Sequence, residues 1–249
     1  MTGEKRTLAA TYGVDPYTDF PPLKAKLDRL SEAAALGGLT VSGALLIVPG
    51  AAGIIVSNLS TAYKLNDIGL EDLARNFTAA QIMDLNRERL DKMGVDKEVT
   101  ERLLANRNFT PIDLAAMVAA LDSMQSVEDR QVFAAWAVTA DARYFAYFVR
   151  RQAELMADDN RRHRNYRRLV SLAGYPFAAT GDGRLHTLSP IDALAWTKET
   201  EYRFGDMSAA RREIAPEARV DLRITGQATA LARQKRKAQG WSWSERQKP

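Results

Sequence analysis

The 249-residue sequence has no cysteine and only two histidines, His163 and His186. The missing thiols exclude disulfides, thiolate metal sites and cysteine nucleophiles together. Two histidines leave little material for an imidazole metal site, so neither a metal nor a cofactor is expected. No phosphate-binding Gly-x-x-x-x-Gly-Lys-Ser/Thr, no Gly-x-Gly-x-x-Gly and no His-Glu-x-x-His occurs. A Gly-x-Ser-x-Gly nucleophile elbow is also missing, and there is no internal repeat. Charge is locally missing as well. Between Glu32 and Lys64 lie 31 residues without one charged side chain, in a chain that is 27% charged.

What is present suits a globular chain. The hydrophobic fraction of 46% and a count of 15 Gly and 9 Pro exclude wholly disordered and collagen-like classes. The net charge of +4 is unevenly spread. Residues 1–125 hold 13 Lys/Arg against 16 Asp/Glu, and residues 126–249 hold 22 against 15. A basic C-terminal half suits a lipid head group or an acidic protein face. Nucleic acid is disfavoured, because no binding module is recognised and the overall charge is low. Thr7–Asp15 lacks a sustained apolar run, so no signal peptide is read at the start.

The uncharged stretch is divided by Pro49-Gly50, a strong turn signal, into Ala33–Val48 and Ala51–Tyr63. At ~1.5 Å per residue neither arm spans a ~30 Å bilayer core. The stretch therefore reads as an apolar helical hairpin over 33–63. Gly38 with Ser42 and Gly53 with Ser57 place small residues four apart, a spacing that lets helices approach closely. Arms that are apolar nearly all round are either core or lipid-facing.

Along the rest of the chain, 1–22 is a turn-rich extended segment and 23–170 a helical body that includes the hairpin. Residues 171–249 form a small αβ unit with a basic tail. The expected class is mainly α with a small α+β C-terminal part. Asp96 and Thr110-Pro111 each announce a helix start. Ser126, with Asp129 as an imperfect capping box, announces another, running nearly unbroken to about Arg168. Tyr175–Thr180, the Gly181-Asp182-Gly183 turn and Arg184–Leu188 predict a hairpin. Ser189-Pro190 predicts a helix over 191–196, whereas 198–218 shows no clear pattern. Val220–Ile224 alternates as a strand does, Ala228–Gln239 reads as a basic helix closed by Gly240, and Trp241–Trp243 reads as a last strand.

Tyr-Gly-Val-Asp-Pro-Tyr-Thr (12–18), the Gly37–Gly53 stretch with Val48-Pro49-Gly50, and Leu222–Gly226 with Gly240-Trp241 resemble a family of bacterial proteins without assigned function. The resemblance implies an envelope setting and carries over no activity and no catalytic residue. From the residues themselves, the expectation is a non-enzymatic, membrane-associated or partner-binding protein, with a cytoplasmic place as the alternative. Gly38, Gly43, Pro49, Gly50 and Gly53 would meet a membrane or a membrane-protein partner. Arg161, Arg164 and Arg168, read as one helical face, would contact anions together with Arg236 and Lys237. Trp241 and Trp243 either join that interface or pack in the core. A second reading is a soluble homo-oligomeric adaptor with the hairpin as core or dimer seam. A third is an enzyme using Asp15 and Asp19, near Tyr17.

Overall fold

The computed structural model describes residues 5, 21–35, 77, 79–163 and 166–246, without the side chains of 21–23, 33–35 and 236–239. The apolar stretch at 36–63, with Gly38, Gly43, Pro49, Gly50 and Gly53, lies outside the described residues. So do Asp15, Tyr17, Asp19 and Arg164. The chain divides into two compact units, Met1–Asn58 and Leu59–Pro249. In the first, α1 (Pro21–Ala35) buries Leu27, and Lys5 pairs with its Asp28 at 2.5 Å.

The second unit opens with helices α2 (Ala79–Lys92), α3 (Lys97–Leu104), α4 (Pro111–Ser123), α5 (Gln131–Val138) and α6 (Arg143–His163). Two of their starts follow from capping side chains. Asp96 accepts from the amides of Glu98 and Val99, and Thr110 from that of Asp113, with Pro111 in the first turn of α4. Gly94 ends the turn after α2 at φ +73°, a left-handed conformation that suits glycine. Helix α4 is the centre of this unit. Its eight consecutive residues Leu114–Leu121 are all buried, as befits a helix that is apolar all round. The ring of Trp136 in α5 meets Phe133, Phe145 and Phe148 edge-on.

The sheet begins earlier than the sequence suggests. Helix α6 ends at His163, and β1 (Tyr166–Leu172) follows, so Arg168 sits on a strand and shares no helical face with Arg161. The long helix expected from Ser126 to about Arg168 is also broken at 139–142. Nor does Ser126 start α5: Asp129 takes φ +56° and the helix begins after Arg130, with no side-chain cap. Glu128 is instead bonded to the edge of β1, giving its amide to Arg167 and its carbonyl to Leu169. That contact covers part of an otherwise open strand edge.

Strands β2 (Tyr175–Thr180) and β3 (Arg184–Ser189) form the expected hairpin across Gly181-Asp182-Gly183. Next come β4 (Ala193–Leu194), α7 (Lys198–Ile214), β5 (Arg219–Ile224), β6 (Gln227–Ala228), α8 (Ala230–Gln239) and β7 (Ser242–Ser244). The main sheet has the order β1-β2-β3-β5-β7, antiparallel through β3 and parallel from β3 to β7. Parallel neighbours need crossovers, which α7 and α8 supply. The expected helix over 191–196 is replaced by β4. The carbonyls of Ser189, Ile191, Asp192 and Leu194 accept from the amides of Thr225, Gly226, Gln227 and Thr229, so a second segment takes the acceptors an internal helix would have used. Helix α7 was not legible in the sequence because it buries only Phe204 and Ser208.

At this crossing Gly226 has no room for a side chain. A Cβ there would lie 1.8 Å from the Asp192 carbonyl oxygen. Gly226→Ala must push the two segments apart. It is expected to cost about 1–3 kcal/mol, read as a lowered urea midpoint. An unchanged midpoint would show that the crossing is not tight.

Candidate functional site

The sheet carries a row of polar residues at one level. His186 of β3 is the register neighbour of Asp221 of β5, which is the neighbour of Ser242 of β7. Asp159, on the last turns of α6, is laid against this row. His186 Nε2 lies 3.2 Å from Asp159 Oδ2, and Nδ1 lies 3.3 Å from Asp221 Oδ2. Nε2 makes no aligned hydrogen bond, so the first contact is an ion contact rather than a directed bond. Arg223, two residues beyond Asp221 on the same side of β5, ties the carboxylates together. Its Nη1 donates to Asp159 Oδ1 at 3.0 Å and its Nε to Asp221 Oδ2 at 3.2 Å. Tyr166 donates its hydroxyl to Asp159 Oδ2 at 2.9 Å, and His163 Nε2 lies 3.5 Å from Asp159 Oδ1.

The cluster is buried: the side chains of His186 and Asp159 are 5% and 8% exposed. Burial alone would lower the imidazole pKa, but contact with Asp159 and Asp221 outweighs it and holds His186 above its ordinary value. The carboxylates balance the other way. Burial would raise them, yet His186 with the other donors keeps both Asp159 and Asp221 below their usual range. Burial and the neighbouring Asp159 push Tyr166 well up, so its hydroxyl stays a donor.

This arrangement limits the available chemistry. Both ring nitrogens face carboxylate oxygens, which can only accept, an arrangement that favours the doubly protonated ring and disfavours general-base work. Ser242 Oγ donates to the Val220 carbonyl at 3.0 Å and addresses Asp221 Oδ1 at 3.3 Å rather than the imidazole, so a Ser-His-Asp relay is not assembled. Arg223 sits between the two carboxylates, where a metal ion would otherwise be drawn. Among the described residues no group of His, Cys, Asp or Glu is arranged to hold a metal ion.

Two residues before His186 and Asp221 the same side of the sheet ends in cations. Arg184 and Arg219 are register neighbours at the start of β3 and β5. Arg184, 55% exposed, reaches Asp182 in the hairpin turn at 3.1 Å. Arg167 of β1 lies over that turn, its Nε 3.2 Å from where a Cβ of Gly181 would stand. Arg167, Arg168 and Arg219 are exposed, and none has an ion pair among the described residues. Of the arginines expected from sequence, Arg161 is tied to Asp158 and Arg168 stands exposed on β1. The side chains of Arg236 and Lys237, on α8, are outside the described residues. The geometry therefore brings together Arg167, Arg184 and Arg219, which helical spacing alone could not connect.

Two further polar groups are structural. Arg150 of α6 donates to Asp113 of α4 at 2.7 Å and lies beside Glu154, which also pairs with Arg151. Burial raises the Glu154 carboxyl despite both arginines. Tyr175 gives its hydroxyl to Gln152 at 2.5 Å and contacts Ser189 at 2.8 Å; burial pushes this phenol up to about 12.

The C-terminal tryptophans belong to the core. Trp241 and Trp243 are buried with Phe204, and Trp241 Nε1 donates to Ser208 at 3.0 Å. They offer no aromatic anchor at the basic end. Comparison of the chain with protein-family models, curated proteins and solved structures found no match.

Proposed function

We propose that this is a non-enzymatic partner-binding protein whose sheet end, bearing Arg167, Arg184 and Arg219, engages an acidic protein surface. The observation that carries the reading is the register of Arg184 with Arg219 beside Arg167, with Asp182 as the carboxylate among them. Guanidinium forks in such a row suit carboxylates, which they bind in pairs. The His186 ring beneath, with both nitrogens turned to carboxylates, supports a binding role over acid–base chemistry. The burial of Trp241 and Trp243 favours a protein over a lipid surface at this end, because an interfacial anchor would need those rings outside. No helix among the described residues is long and apolar enough to cross a membrane. An envelope setting, with 33–63 meeting a membrane or membrane-protein partner, rests on the sequence alone.

Poly-L-glutamate serves as a probe of the acidic surface. Reversing both Arg184→Glu and Arg219→Glu is expected to weaken its binding by about tenfold or more at low salt, with the difference shrinking as salt rises. Arg102→Glu with Arg143→Glu, on the helical body, is the control and should change little. Equal weakening by both pairs would sink the proposed surface. Binding to phosphatidylglycerol vesicles without binding to polyglutamate would replace the acidic protein by a membrane.

A further inference from the structure

We propose that His186, gripped between Asp159 of α6 and Asp221 of β5, is a pH-operated clasp that fastens the last turns of α6 to the sheet and lets them go when its ring loses a proton. The groups that face it come from every element packed around it. They are Asp159 from α6, with His163 of the same helix on that carboxylate's other oxygen, Tyr166 from β1, and Asp221 with Arg223 from β5. Its register neighbour on β2 is Ala178, which carries no charge. With the ring protonated, two carboxylates meet two cations and the buried charge balances. Without the proton, Arg223 alone faces two carboxylates, and the ring nitrogen that lost its proton sits as an acceptor beside a carboxylate oxygen. One of the two contacts that closed the clasp then repels, while the remaining N–H holds only the other.

The sign of the response follows. The folded ring holds its proton above its ordinary value, so its stabilisation is complete below the unfolded imidazole value of about 6.5 and is lost as pH rises through the folded value. Asp159 and Asp221 are lowered, so their contribution is present above the ordinary carboxylate range and is lost as pH falls through their folded values. The clasp is closed between these limits and opens on either side. It acts within the second unit and is independent of what the arginine end binds.

The test uses the full chain. Imidazole 15N shifts across pH 5–10 should show His186 doubly protonated at pH 7. Hydrogen exchange, corrected for intrinsic rates, should show protection of residues 156–163 and 184–188 falling together with the ring's titration, while α4 stays protected. In His186→Gln the protection of these segments should no longer follow pH over that range. A ring that titrates at or below 6.5 overturns the clasp, and so does unchanged protection of 156–163 through the titration. Should the glutamine variant fail to fold, the two measurements on the natural chain decide the matter.

Discussion

Replacement of Asp159 by alanine is expected to lower the unfolding free energy by about 3–5 kcal/mol, since removing one member of a buried ion cluster strands the others. Asp159 is the acceptor at which three elements converge. Tyr166 of β1 donates to it, Arg223 of β5 donates to it, and His186 of β3 faces it. In the variant, His186 and Arg223 become adjacent cations with one carboxylate, Asp221, between them. Arg223 is partly exposed and can turn toward water, which places the expected loss at the lower end of the range. His186 has no such escape. Its pKa should therefore drop, and the alkaline loss of stability should move to lower pH. Urea unfolding across pH checks both effects. A loss under about 1 kcal/mol at neutral pH would mean that the cluster relaxes by admitting water. Asp159→Asn keeps the shape and one acceptor oxygen. It should cost less than alanine while still lowering the ring's pKa, which separates charge from packing.

The features legible in the sequence were those that local chemistry decides. Asp96 and Thr110-Pro111 start helices because a side chain satisfies nearby amides. The Gly181-Asp182-Gly183 turn and the alternation of Val220–Ile224 needed no distant partner to be recognised. What escaped was decided by tertiary partners. Ser189-Pro190 looks like a helix start until the Thr225–Thr229 amides claim the carbonyls after it. Tyr166–Leu172 carries two arginines and follows a polar, arginine-rich segment, and became a strand because β2 and Glu128 pair with its two edges. Helix α7 has Thr197 as its cap, acidic residues in its first turn and arginines in its last, but these end features alone did not mark 198–218 as a helix. Its single large apolar anchor, Phe204, gave no periodicity to detect. The site was less legible still. His186 was visible as a strand residue beside Leu185, but Asp159 and Asp221 reach it from a helix and a strand far away in sequence. Only the parallel register of β3 with β5 makes Asp221 its neighbour, and only the lie of α6 makes Asp159 its cover. The arginines on the 161–168 segment looked like one face under the assumption of a continuous helix. Ending that helix at His163 sends Arg168 to β1 and leaves Arg184 and Arg219, unnoticed as a pair, as the adjacent cations.

The helical and sheet parts of the second unit should not unfold separately, and Trp136→Ala is the substitution that tests this most severely. The expected cost is about 3–5 kcal/mol, the range for truncating a large buried aromatic side chain. Trp136 stacks edge-on with Phe133, Phe145 and Phe148 on the helical side, and its centroid lies 5.0 Å from that of Tyr175 on β2. From Tyr175 the ring contacts continue to Phe177, then Trp241, then Phe204 of α7. Trp136 is thus the link through which an aromatic chain runs from α5 across the sheet to its far side. Truncation removes the ring area and four edge-on contacts. Trp136→Phe keeps part of the chain and should lose markedly less. Far-UV circular dichroism and tyrosine fluorescence, followed through the same urea titration, should give coincident transitions in the natural chain. In the alanine variant the midpoints should fall together if other contacts, such as Gln152 with Thr187 and the His186 cluster, also join α6 to β3. Divergent midpoints would assign the coupling of helices to sheet mainly to Trp136, and an unchanged midpoint would remove it from the core altogether.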